Sequence, residues 1–212
     1  MNAMKRMRHP SGKGKGLRSM VAGREIMSTA SEGVRRYSCF FKKLSALRVL
    51  DYGTGTMRNA VYLSREGFRV VAADLPEQVA RLSHSPALQY AERLLPVEAL
   101  SESHLDVDVV LSTYVFNIIM DHAGRDLYVR NTVGNLRPGG YLLMETRCPR
   151  LSERCSLACR DYFTSTCSKT LTHEELDALF NPYGMRRVSH YYRSHAVVAM
   201  YRKNPALLSP PL

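Results

Sequence analysis

Two hydrophobic periods take turns along this 212-residue chain. Val34, Tyr37, Phe40, Phe41 and Leu44 fall at near-helical spacing, so residues 31 to 44 are predicted as a helix leading into the first strand. The apolar stretch Arg48-Val49-Leu50 reads as a buried strand ending at Asp51. A helix follows from about Met57 to about Glu66, with Gly67 as its stop. Phe68 to Ala73 forms a second strand ending at Asp74, and Pro76 opens a short helix where its missing N–H costs nothing. Residues 87 to 104 carry the weakest pattern: a third strand near Leu88 to Leu94, then a helical turn. Val107 to Leu111 is a buried parallel strand. Asp121 or His122 opens a helix carrying Leu127, Val133 and Leu136, which Pro138-Gly139-Gly140 is expected to stop. Tyr141 to Glu145 is the fifth strand. Thr172-His173-Glu174-Glu175 is a capping box ahead of Leu176, Leu179 and Phe180. Two β-rich runs, Met185 to Tyr192 and His195 to Tyr201, joined at Arg193-Ser194, suit a hairpin. Strands alternating with helices, then a hairpin, predict a single α/β domain with a mostly parallel sheet and an antiparallel edge.

Candidate chemistry concentrates where the first strand ends, at Asp51-Tyr52-Gly53-Thr54-Gly55-Thr56. Gly53 and Gly55 remove the Cβ atoms that would hold a ligand off the backbone. The helix beyond them directs free N–H groups at the same spot. Asp74, ending the neighbouring strand, brings a carboxylate suited to a ribose diol. A dinucleotide turn wants a third glycine where this chain has Arg58, and Asp51 is poorly suited to sit beside phosphates. A nucleoside with a cationic amino-acid end suits Asp51 better, and S-adenosylmethionine has one. The plainer alternatives are a turn residue at Asp51, a cap for the Pro76 helix at Asp74, and turn or helix-surface roles for Thr54 and Asn59.

These segments resemble class I S-adenosylmethionine-dependent methyltransferases. Val49 to Asn59 is similar to that family's first motif, Val71-Ala72-Ala73-Asp74 to its second, and Leu136 to Met144 to the strand after its fourth helix. The likeness runs over residues 28 to 203. It implies a Rossmann-like fold with a mostly parallel seven-stranded sheet and a C-terminal antiparallel hairpin. It also implies S-adenosylmethionine as cofactor, held by Asp51, Tyr52, Gly53, Thr54, Gly55, Asn59, Asp74, Leu75 and Thr113. Tyr114 would face the transferable methyl, to orient or deprotonate an acceptor or simply to pack. In finer pattern, Ser112 to Ile119, with Thr29-Ala30-Ser31, Arg35 and Arg36, is similar to a bacterial subgroup of which some members are associated with DNA-modification gene clusters. Amino-methylating DNA enzymes carry an acid or amide, two prolines and an aromatic where this chain has Ser112-Thr113-Tyr114-Val115, so that chemistry is not supported. Cytosine-C5 enzymes need a cysteine after a proline there, and Cys148-Pro149 is reversed and lies after the fifth strand.

Composition narrows this further. Hydrophobic residues at 45% and charged residues at 23% suit an ordinary globular protein. The longest apolar candidate for a membrane span, Val107 to Met120, is interrupted by Ser112, Thr113 and Asn117. With no secretory pattern, a cytoplasmic enzyme is expected. The net charge is +11, and Lys5, Arg6, Arg8, Lys13, Lys15, Arg18 and Arg24 all precede the first acidic residue, Glu25. Residues 1–24 are therefore expected to be a disordered basic arm, 25–203 the methyltransferase domain and 204–212 a tail. The arm suits either a phosphate backbone or a solubilising role. Pro10 and the Gly-Lys alternation argue against a transit helix.

Cys148, Cys155, Cys159 and Cys167, with His173 beyond, lack the close Cys-x2-Cys pair of a strong zinc site, so no metal is expected. His84, His104, His190 and His195 stand alone. The chain is thus expected to methylate an acceptor left open between nucleic acid and a small metabolite. A nicotinamide oxidoreductase and a non-catalytic nucleic-acid-binding relative are the rivals. Arg58 weighs against the first, and the intact Asp51, Gly53, Gly55 and Asp74 against the second.

Overall fold

The computed structural model describes residues 29–148, 170–193 and 196–205. Seven strands form one sheet: β1 (Arg48–Tyr52), β2 (Arg69–Asp74), β3 (Arg93–Pro96), β4 (Val107–Thr113), β5 (Leu136–Arg147), β6 (Met185–Arg193) and β7 (Ala196–Lys203). Their order is β3-β2-β1-β4-β5-β7-β6. All pairs are parallel except β5 with β7 and β7 with β6. Among the described residues the helices are α1 (Glu32–Lys43), α2 (Arg58–Arg65), α3 (Pro76–Leu82), α4 (Leu100–Ser103), α5 (His122–Asn135) and α6 (His173–Phe180).

Side-chain alternation along the strands separates two cores. Val49, Val70, Ala72, Leu143, Val198 and Met200 pack on one face with Val34 and Phe41 of α1, Ala60, Val61 and Leu63 of α2 and Leu82 of α3. Leu50, Val71, Ala73, Leu142, Met144, Val197, Ala199 and Tyr201 pack on the other with Leu100 of α4, Tyr128 and Val129 of α5, and Leu176 and Phe180 of α6. A sheet buried on both faces explains why its central strands read as continuous apolar runs.

Local signals act where expected. Ser31 caps α1 through Val34 N–H, Pro76 opens α3, and Asp121 caps α5 by accepting from Gly124 N–H at 2.6 Å. Thr172 and Glu175 form the reciprocal box ahead of α6. Two segments depart from expectation. The third strand lies at Arg93–Pro96, while Pro86–Tyr90 is a 3-10 helix begun by the Ser85 hydroxyl on Ala87 N–H. The fifth strand begins at Leu136, which already pairs with Val107, so α5 ends before Pro138-Gly139-Gly140. Tertiary pairing claims Leu136, and the Asn135 amide fixes the junction by donating to Leu100 C=O at 2.8 Å. The hairpin linkage at 194–195, the arm 1–24 and residues 206–212 of the tail lie outside the described residues.

Candidate functional site

β1, β2 and β4 are neighbours, so their C-terminal ends open on one side, next to the point where strand order reverses. The chain leaves β1 through Gly53 and Gly55, both in the left-handed region at φ +82° and +58°. Gly53 and Thr54 N–H both donate to Ala73 C=O, at 2.8 and 3.1 Å, which ties the turn to β2. A Cβ on Gly53 would stand 2.2 Å from Val115 Cγ2, so the loop after β4 lies directly against the turn. Asp74 closes it from the other side: Oδ2 accepts from Gly55 N–H at 2.6 Å and Oδ1 from Leu75 N–H at 2.8 Å. Gln78 Nε2 adds a bond to Gly55 C=O at 2.7 Å. A carboxylate has about four lone-pair sites, so Asp74 keeps acceptor capacity for a diol.

These walls enclose a cavity of about 560 Å³. Tyr52, Gly53, Gly55, Asp74, Leu75, Thr113 and Tyr114 line it. Asp51, Thr54 and Asn59 do not; they are buried behind the turn. The Thr54 hydroxyl donates to Asp51 Oδ2 at 2.7 Å, while Asp51 Oδ1 has no hydrogen-bond partner among the described residues. Burial raises the Asp51 carboxyl to about 6, partly offset by the Thr54 bond and by the nearby Asn59 amide. Asn59 also donates to Thr113 Oγ1 at 2.9 Å and accepts from Ser31 N–H at 2.9 Å, which joins α2, β4 and the start of α1.

The rest of the lining escaped the sequence: Val97, Val115, Ile118, Ile119, Gly124, Leu127 and Tyr128. The i, i+3, i+4 spacing of Gly124, Leu127 and Tyr128 was a usable signal only once the buried face of α5 was known. Tyr128 stacks on Tyr52 with ring centroids 4.0 Å apart and donates to Ser112 Oγ at 2.9 Å. Its phenol is held well above the ordinary range by burial.

Tyr114 sits at φ +61°, uncommon for a bulky residue. Its N–H donates to Glu145 C=O and its hydroxyl to Glu145 Oε1, each at 2.7 Å. Burial, then the Glu145 bond, raises its phenol above the ordinary value.

No group of three or more His, Cys, Asp or Glu side chains among the described residues is arranged to hold a metal. Cys148 is buried there, whereas Cys155, Cys159, Cys167 and His195 lie outside the described residues. His190 is not isolated: it stacks on His173 with centroids 4.0 Å apart and meets Arg187 Nη1 through Nδ1 at 2.6 Å. A second cavity, of about 490 Å³ between α5 and α6, holds none of the predicted site residues.

The residues present fit a nucleoside with a cationic end. Among the described residues, a Cβ at Gly55 would meet nothing within 4 Å, Asp74 has acceptor capacity at the wall, and Asp51 keeps a buried oxygen without a donor behind it.

A family profile described as a methyltransferase domain matches residues 24–201. A ubiquinone biosynthesis O-methyltransferase of Methylocella silvestris is 33% identical over 129 residues, covering 58% of this chain. The chain spans about half that relative's length, 49%. Among solved structures, a 1,6-didemethyltoxoflavin-N1-methyltransferase of Burkholderia thailandensis, with bound 1,6-didemethyltoxoflavin and S-adenosylhomocysteine, superposes at a TM-score of 0.58. It is 21% identical, over 82% of this chain and 79% of its own. A magnesium protoporphyrin IX methyltransferase of Synechocystis PCC 6803 with bound S-adenosylhomocysteine gives 0.59 at 13% identity, over 81% and 82%. At these identities the two structures speak for the fold.

Proposed function

Since this chain belongs to the class I S-adenosylmethionine-dependent methyltransferases, we propose that it methylates a hydroxyl of a small, largely apolar molecule. When bound, the cofactor supplies a methyl group on a sulfonium, already a good leaving group. The protein's task is then to align the acceptor and exclude water. In this proposal Tyr52, Gly53, Gly55, Asp74, Leu75 and Thr113 touch the cofactor. Asp51, Thr54 and Asn59 act from behind the turn, and Tyr114 faces the acceptor.

One observation carries the choice of acceptor. Beyond the turn and Asp74, the described lining is Leu75, Val97, Val115, Ile118, Ile119 and Leu127 with three tyrosines, Thr113 and Gly124, and no Lys or Arg is in it. A phosphate backbone would call for cations there. The O-methyltransferase relative supports an oxygen acceptor. The net charge of +11 favours a nucleic-acid acceptor instead. Incubation with isotopically labelled cofactor, a panel of phenols and catechols, and duplex and single-stranded oligonucleotides decides between them. Label in a small phenol is expected; label confined to nucleic acid would overturn the proposal.

A further inference from the structure

The Tyr114 hydroxyl is committed as a donor to Glu145 Oε1 at 2.7 Å. Its oxygen therefore has only lone pairs left to offer, and Tyr114 is a residue of the cavity wall. Glu145 is 2% exposed, and its other oxygen accepts from Gly33 N–H of α1 at 3.4 Å. The placement is strained and locked: the left-handed backbone of Tyr114 is held by its own N–H on Glu145 C=O. The pair thus runs from the cavity wall into the protein, a hydroxyl with a carboxylate behind it.

Resting on the O-methylation proposed above, we propose that Tyr114 and Glu145 form the proton outlet of the methyl-transfer site. As the acceptor oxygen bonds to the methyl carbon, the sulfonium–carbon bond breaks with its electron pair left on sulfur. The acceptor's hydroxyl proton passes to Tyr114 Oη while the Tyr114 proton passes to Glu145. A sulfonium, a hydroxyl and a carboxylate become a thioether, a methyl ether and a carboxylic acid, so charge and protons balance. Once the product leaves, Glu145 returns the proton through the Tyr114 hydroxyl to water in the cavity. A phenolate never forms, which suits a tyrosine whose ionisation is disfavoured. Among the described residues, the charged groups that act on Tyr114 are Glu145 and Arg147 of β5 and Arg193 of β6, with the Arg147 guanidinium carbon 5.2 Å from the ring centroid.

The test uses the full chain and its Tyr114→Phe, Glu145→Gln and double variants, with catechol as acceptor probe. Gln keeps the side-chain shape and an acceptor for Gly33 N–H but takes no proton. Each single variant should lower kcat about a hundredfold, with probe KM and cofactor Kd within twofold. The double variant should be no slower than the singles, as expected for groups acting as a unit. Independently of turnover, phenol-carbon NMR of labelled tyrosine, assigned with Tyr114→Phe, should show Tyr114 ionising at lower pH in Glu145→Gln. Unchanged kcat in Glu145→Gln, additive losses, or a Tyr114 titration indifferent to residue 145 would overturn the outlet. Loss of cofactor binding by the wild-type chain would instead sink the methyltransferase reading.

Discussion

Asp51 carries a charge where water cannot reach it, and its carboxyl is raised from 3.8 to about 6. The folded chain therefore binds its proton more tightly than the unfolded chain does. The contribution of Asp51 to stability should be fully present below pH ~4 and be lost, about 3 kcal/mol of it, as pH rises through ~6, at ~1.4 kcal/mol per unit of pKa difference. Asp51→Asn should flatten that slope, and unfolding midpoints against pH will read it. A cation bound nearby favours the ionised carboxylate, so wild-type cofactor affinity should rise as pH passes upward through 6, while Asp51→Asn binds weakly at every pH. Parallel calorimetric profiles for the two proteins would remove Asp51 from the binding energetics. Asp74 acts differently, from the wall itself. Asp74→Ala deletes charge-assisted bonds to a ribose diol, a loss of roughly 1.5–3 kcal/mol. It also frees the Gly55 and Leu75 N–H groups. Cofactor affinity should drop about 10- to 150-fold in a folded protein, and an unchanged Kd would place the ribose elsewhere. Both aspartates were legible because each ends an apolar strand beside a glycine turn. Glu145 was not: in sequence it closes the fifth strand, and only the pairing of Thr113 with Glu145 brings it to Tyr114.

Elements meet most tightly where the β1 turn touches the loop after β4. Gly53→Ala adds a Cβ 2.2 Å from Val115 Cγ2 at a backbone φ of +82°. The left-handed conformation alone costs about 1–2 kcal/mol for a residue with a Cβ. Cofactor binding should therefore weaken in Gly53→Ala, and Val115→Ala in the same chain should restore the part due to collision but not the part due to φ. A double-mutant cycle on cofactor Kd measures that split, and full additivity would mean the two loops are uncoupled. Helix starts were legible from Ser31, Pro76, Asp121 and Thr172, since caps are local chemistry. The third strand was not, because Arg93–Pro96 is short and owes its state to parallel pairing with β2. The end of α5 was misplaced for the same reason: pairing with Val107 recruits Leu136 into a strand ahead of the Pro-Gly-Gly signal.

At the scale of the whole molecule, charge and chemistry separate. Seven Lys and Arg residues precede Glu25, whereas the described cavity lining has none. Removing residues 1–24 should leave cofactor affinity and methylation of a small acceptor unchanged. It should also flatten the salt dependence of any duplex DNA binding, by up to ~0.9 in log K against log salt for each phosphate the arm no longer neutralises. Anisotropy titrations of both chain lengths at two salt concentrations check this, and abolished turnover on truncation would tie the arm to the site. No helix among the described residues is long and apolar enough to cross a membrane. By itself the sequence determined the α/β class, the glycine turn between two aspartate-ended strands, the helix caps and the cofactor class, because strand period, turn conformation and capping depend on residues close along the chain. Tertiary structure alone decided that Asp51, Thr54 and Asn59 stand behind the cavity wall rather than on it. It also decided that α5 and the loop after β4 furnish the apolar side, and that Glu145 meets Tyr114 across paired strands. Those juxtapositions depend on register and packing between segments distant in sequence, which no local pattern encodes.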